Sequence, residues 1–158
     1  GRLWLGSFPR FDDPIFQEQR FDAVVLAAGE LQPPASDYPG ILVVRAPCED
    51  IDQGVEADRA AVVANYCSAL VAKLLQNGRT VICTCAAGRN RSGFIVGLTM
   101  IRLGWDGKAA VQRIQERRPR ALTNSYFRGF IEGGRPHQLT PAEKVERARS
   151  LVVEIAPG

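Results

Sequence analysis

The chain has 158 residues, 46% of them apolar and 23% charged, the proportions of an ordinary globular domain with a core of its own. These values exclude a disordered or low-complexity chain, and a net charge of +3 is too small to argue for nucleic acid. No apolar run is long enough to cross a membrane as a helix, and the first residues lack a signal-peptide pattern.

The elements follow in chain order. Residues 2–7, Arg-Leu-Trp-Leu-Gly-Ser, predict a short strand and turn. Asp13-Pro14 opens a helical turn anchored by Ile15 and Phe16. Residues 21–26 predict a buried strand. Residues 27–40, with Gly29, Pro33, Pro34, Pro39 and Gly40, predict a loop. Residues 41–46 form the next strand, stopped by Pro47. An acidic loop, Cys48-Glu49-Asp50-Ile51-Asp52-Gln53-Gly54, leads into a long helix over 55–76. There Val62, Val63, Tyr66, Ala69, Leu70 and Leu74 recur at helical spacing, and Asn77-Gly78 closes the helix.

Residues 80–84 are a short β-branched strand, and Ser92 opens an apolar helix that ends at Gly104. Asp106 caps a helix to about Arg117, beyond which Pro119 prevents continuation. Thr123 or Asn124 caps a short helix over 125–132, ended by Gly133-Gly134. Thr140-Pro141-Ala142-Glu143 reads as the capping box of a last helix running to about Val153. Residues 1–134 are therefore expected to form the main unit, with 135–158 a helical extension packed on it or trailing it. Few, largely apolar strands alternating with helices predict a single α/β domain.

The chemistry concentrates in residues 85–92, Cys-Ala-Ala-Gly-Arg-Asn-Arg-Ser, between the strand at 80–84 and the helix after it. A strand–loop–helix of this kind aims backbone N–H groups and a helix N-terminus at one spot, which suits an anion. Six successive amides, residues 86–91, can curl around phosphate oxygens. Arg91 can fork onto two of those oxygens, a planar geometry that Lys lacks. Gly88 allows the bend, and Ser92 places a hydroxyl near the Cys85 sulfur. A positive environment of this kind also favours a thiolate nucleophile.

This loop resembles the signature loop of the cysteine-dependent protein tyrosine phosphatases, Cys-x-x-Gly-x-x-Arg-Ser/Thr. The opening Leu-Trp-Leu-Gly-Ser is similar to that of the dual-specificity type. One position departs: Thr84 stands where the family usually has a histidine. The resemblance covers roughly residues 2–132. It implies a small central, mostly parallel sheet flanked by helices, and hydrolysis of phosphate monoesters through a phosphocysteine on Cys85. It also implies oxyanion binding by Ala86, Ala87, Gly88, Arg89, Asn90 and Arg91, and a hydrogen bond from Ser92 to the departing sulfur. The general acid is expected on the acidic loop. Asp50 is the leading candidate, with Asp52 and then Glu49 as alternatives. A chain this short has no room for the recognition segments of larger tyrosine-specific enzymes. The expected partner is therefore a phosphorylated protein or peptide, on tyrosine and on serine or threonine. Phosphoinositide, nucleotide and RNA 5′-phosphate substrates stay open, as does a phosphate-binding module without turnover.

Neither cofactor nor metal is expected. The cysteines Cys48, Cys67, Cys83 and Cys85 show no paired spacing and no second cluster for zinc, which points to a reducing, cytoplasmic setting. Cys83 reads as a small buried hydrophobe, or else as a disulfide partner for an oxidised Cys85. Arg89 faces either solvent or a second negative group on the substrate. Arg113, Arg117, Arg118 and Arg120 read as a solvated helix face, or as a lure for acidic substrates. Trp4, Trp105, Tyr126 and Phe127 read as packing residues, and the sole histidine, His137, as a surface one.

Overall fold

The computed structural model describes residues 2–133 and 152–155. Four strands run parallel: β1 (Leu3–Gly6), β2 (Ala23–Ala28), β3 (Leu42–Cys48) and β4 (Val81–Thr84). They lie in the spatial order β1-β4-β2-β3. The α/β class and the mostly parallel sheet flanked by helices are as expected. A fifth strand, β5 (Val152–Ile155), adds antiparallel to β3, with Val43 opposite Glu154. This corrects the last helix at its C-terminal end: where that helix was expected to reach Val153, the chain is extended. Val-Val-Glu-Ile is rich in β-branched residues and completes an edge that β3 would otherwise leave open. The two-pronged pair Arg45 Nε–Glu154 Oε1 (2.8 Å) and Nη2–Oε2 (3.3 Å) fixes its register. The rest of the expected helix, and His137, lie outside the described residues.

Strand side chains alternate between two cores, as period two requires. Val25, Val44, Val81 and Cys83 face a layer of four helices: α2 (Gly54–Gln76), α3 (Arg91–Arg102), α4 (Gly107–Arg117) and α5 (Ser125–Glu132). Val24, Leu26, Val43 and Ile82 face a thinner layer. It is built from α1 (Pro14–Gln19), a 3₁₀ turn (Ala35–Asp37) and the aromatics Phe16, Phe21 and Tyr38. Three cap assignments hold: Asp13, Asp106 and Asn124 each accept from a backbone N–H in the first turn they open.

Two boundaries differ from expectation. Strand β3 runs through Pro47 to Cys48. Its pairing with β5 ends at Arg45, and its ladder with β2 slips between Leu26 and Ala28, so the missing Pro47 N–H breaks no regular bond. The buried face of α2 is made of small residues, Ala57, Ala60, Ala64, Cys67 and Val71, while Leu70 and Leu74 sit partly exposed at its flank. Small side chains let α2 lie close to α3. Arg102 of α3 then reaches Ser68 Oγ (2.9 Å) and Asn65 Oδ1 (2.7 Å), which satisfies polar groups that α2 buries. No helix among the described residues is long and apolar enough to cross a membrane.

Candidate active site

Parallel strands end on the same side, so the segments leaving β2, β3 and β4 converge at one edge of the sheet. Strand β2 ends two residues before Glu30, β3 ends at Cys48 just before Asp50, and β4 ends one residue before Cys85. The loop over 85–91 therefore receives groups from the end of β2, which pairs with β4, and from the end of β3, one strand further out. Its carbonyls are held by surrounding donors: Phe8 N–H on Ala86 (3.1 Å), Arg118 Nη2 on Ala87 (2.8 Å) and Leu122 N–H on Arg89 (3.1 Å). A peptide's N–H points opposite to its C=O, so a loop held this way turns its amides to its concave side.

Gly88 is the tightest point. Its φ is +65°, and a Cβ there would stand 2.5 Å from the Gly6 carbonyl carbon and oxygen and 2.6 Å from Ser7 N. These are backbone atoms that cannot swing away. Gly88→Ala is expected to open the loop, abolish measurable tungstate binding by calorimetry and lower thermal stability. Retained tungstate affinity would show that the loop tolerates the extra carbon.

Cys85 lies at the loop's start, 4% exposed, with its Sγ 3.2 Å from Ser92 Oγ. Arg91, 7% exposed, is clamped by a residue that sequence reasoning missed. Its Nη1 and Nη2 donate to the two Glu30 carboxylate oxygens at 2.6 Å each, and Nη1 also donates to the Cys48 carbonyl at 3.2 Å. Three of the guanidinium's five N–H bonds are thereby used. The buried Nε–H has no partner among the described residues. It shares an edge with the remaining Nη2–H, so a two-pronged donor is left over, the geometry suited to two oxygens of one phosphate. Hydrogen bonding from the Arg91 guanidinium holds the Glu30 carboxyl down at about 2, and Glu30 in turn raises Arg91. A depressed carboxyl stabilises the fold above its unfolded value near 4.3, and that stability is lost as pH falls through about 2. Glu30→Gln is expected to cost about 1–2 kcal/mol, a low figure because the carboxylate is half exposed. The gap from wild type in urea unfolding should narrow between about pH 4 and pH 2; a pH-independent gap would contradict this.

Asp50 is drawn to the loop by two side-chain amides. Asn90 Nδ2 donates to Oδ2 at 3.0 Å and Asn124 Nδ2 to Oδ1 at 2.9 Å. Asn90 Oδ1 accepts the Asn124 backbone N–H at 2.9 Å, which closes the network. Asp52 and Glu49 are exposed and make no hydrogen bond to the loop among the described residues. Arg89 is exposed on the loop's rim. The Thr84 hydroxyl does not reach the loop: it donates to the Val25 carbonyl at 2.6 Å, across the sheet. Cys83 is fully buried in the core, and burial raises its thiol. Cys48, behind Arg91, is pushed up to about 12 by burial. Phe127 packs as expected, stacked on Phe94 with ring centroids 4.4 Å apart. Trp105 does not: it stands 46% exposed, just past the end of α3 at Arg102, where Gly104 at φ +100° turns the chain outward.

No protein-family model matches the chain, and no curated protein matches it. Solved structures do. The chain is similar to human DUSP28 with a TM-score of 0.66 and 20% identity, over 94% of this chain and 96% of that one. It is similar to DUSP15 with a TM-score of 0.69 and 21% identity, over 94% and 89%. It is also similar to PTPMT1 in complex with PI(5)P, with a TM-score of 0.69 and 18% identity, over 93% of each chain. The sheet order, the strand–loop–helix at Cys85 and these likenesses together give the chain the fold of the dual-specificity type of cysteine-based tyrosine phosphatase.

Proposed function

We propose that the chain is a cysteine-based phosphatase that hydrolyses phosphate monoesters, phosphotyrosine and phosphoserine or phosphothreonine among them. The observation that carries this reading is the unpartnered, buried Nε–H of Arg91, held by Glu30 at the loop that begins with Cys85. Such an orphan donor is rare in a folded protein, and an oxyanion accounts for it.

In the first step the Cys85 sulfur attacks phosphorus in line. The S–P bond forms, the bond to the leaving oxygen breaks, and Asp50 gives that oxygen its proton. The amides of residues 86–91 and the free edge of Arg91 hold the equatorial oxygens as charge redistributes. In the second step the Asp50 carboxylate takes a proton from water, whose oxygen attacks phosphorus and breaks the P–S bond. Ser92, 3.2 Å from the sulfur, supplies a hydrogen bond to it as it leaves. The test is hydrolysis of p-nitrophenyl phosphate, with an alkali-stable phosphocysteine sought on Cys85 after rapid quenching. Tungstate binding without any hydrolysis would instead indicate a phosphate-binding module.

A lipid phosphate is the second reading. It is favoured by the likeness to a phosphatase solved with PI(5)P and by Arg89, exposed on the rim where a second anionic group would lie. A panel of phosphopeptides and PI(5)P separates the two by kcat/KM.

A further inference from the structure

A groove of about 620 Å³ lies on the sheet edge formed by β1, and neither Asp50 nor Arg91 lines it. Its floor is apolar: Val96 and Met100 of α3 and Ile114 of α4. Its rim carries Arg2, Arg113, Arg117 and Arg118, and no acidic side chain among the described residues lines it. Two of the chain's exposed large apolar residues, Leu103 and Trp105, lie on it. The volume is that of a ligand site, and an apolar floor under a cationic rim selects an occupant that is both apolar and acidic.

The third wall decides the occupant's class. Leu3, Trp4 and Leu5 all line the groove. Consecutive strand residues point to opposite faces, so a groove lined by all three must run along the free edge of β1. Among the described residues β1 pairs only with β4. The Arg2 carbonyl accepts from Val81 N–H at 2.8 Å, on the β4 side. Backbone groups alternate sides along a parallel strand, so Leu3 and Leu5 turn their N–H and C=O away from β4, toward the groove. Only another backbone offers donors and acceptors at the matching two-residue repeat.

We propose that this groove docks an extended acidic peptide segment of a partner protein, added as a further strand on β1. Alternate apolar side chains settle against Met100 and Trp105, and intervening acidic ones meet Arg113 and Arg117. The Arg113–Glu116 pair, 3.6 Å apart between half-exposed side chains, is weak and yields to a carboxylate in the groove. The groove abuts the reaction loop, since Arg118 lines one and donates to the Ala87 carbonyl of the other. Phosphorylated partners carrying such a segment would thereby be held beside Cys85. The docking itself rests on the groove and not on turnover.

The probe is an acetylated octapeptide alternating glutamate and valine, followed by tryptophan fluorescence, since Trp4 and Trp105 are the chain's two tryptophans. Hydrogen exchange reads the edge directly. The expected result is saturable binding that slows exchange of the Leu3 and Leu5 amides. Arg113→Glu/Arg117→Glu should weaken it roughly tenfold or more, with hydrolysis of p-nitrophenyl phosphate unchanged as the check on folding. A lysine–valine octapeptide should not bind. Absence of binding by the acidic peptide, or binding that leaves both amides unprotected, overturns the proposal. So does protection of the same edge by phosphatidylserine vesicles or by self-association of the chain, with no effect of peptide. Loss of p-nitrophenyl phosphate hydrolysis with docking intact would count against the phosphatase reading alone.

Discussion

Cys85→Ser is expected to lower kcat for p-nitrophenyl phosphate by roughly 10⁴-fold or more while leaving tungstate affinity within a few-fold of wild type. A serine hydroxyl keeps its proton at neutral pH, and here no base sits beside it: the group 3.2 Å away is the Ser92 hydroxyl. Anion binding does not depend on the sulfur. It falls to the loop amides and to the Nε and Nη2 edge of Arg91, which Glu30 and the Cys48 carbonyl hold in place from the other side. The two measurements therefore separate chemistry from binding. Loss of both would mean that the substitution collapsed the loop. Survival of turnover near the wild-type rate would remove Cys85 as nucleophile and the phosphocysteine with it. Thr84 bears on the same experiment. Its hydroxyl is spent on the Val25 carbonyl, so it offers no hydrogen bond with which to order the loop from below. That task passes to Phe8 N–H, Arg118 and Leu122 N–H, which hold three loop carbonyls from outside.

The reaction loop was legible because its parts are contiguous. Eight residues carry the proposed nucleophile, the bend, the guanidinium and the hydroxyl, and the flanking β-branched and apolar runs announce a strand and a helix. Glu30 was not legible, because its partner is 61 residues away and nothing local marks it. It meets Arg91 only because β2 lies next to β4, and strand order is a property of the whole sheet. Asn124 was one of two cap candidates, with Thr123, and performs that task on Phe127 N–H. Its second task, holding Asp50 through the side-chain amide, depends on where α5 packs. Trp105 and β5 misled for another reason. A large aromatic is usually buried, and a helix expected to reach about Val153 has no sharp stop signal there, but neither reading says where the chain leaves the core or which sheet edge it meets.

Asp50→Asn is expected to reduce kcat by about 10²–10⁴-fold for phenyl phosphate, and by less for p-nitrophenyl phosphate. The better leaving group departs with little help from a proton, so the ratio between the two substrates reports the acid and not the fold. Asp52→Asn should change neither rate by more than about twofold, since Asp52, exposed like Asp50, makes no hydrogen bond to the loop among the described residues. The assignment follows from position. Asn90 belongs to the loop over 85–91 and Asn124 caps α5, and both donate to Asp50, so the carboxylate is tied to the loop proposed to hold the phosphate. Asn124 Nδ2 also donates to the Ile51 carbonyl at 3.1 Å, which fixes the backbone just beyond Asp50 and turns the chain before Asp52. If Asp52→Asn were the crippling change, the acidic loop would have to rearrange when substrate binds, breaking both amide contacts to Asp50. Asn124→Ala would then speed the reaction by freeing the loop. With Asp50 as the acid, the same variant slows it.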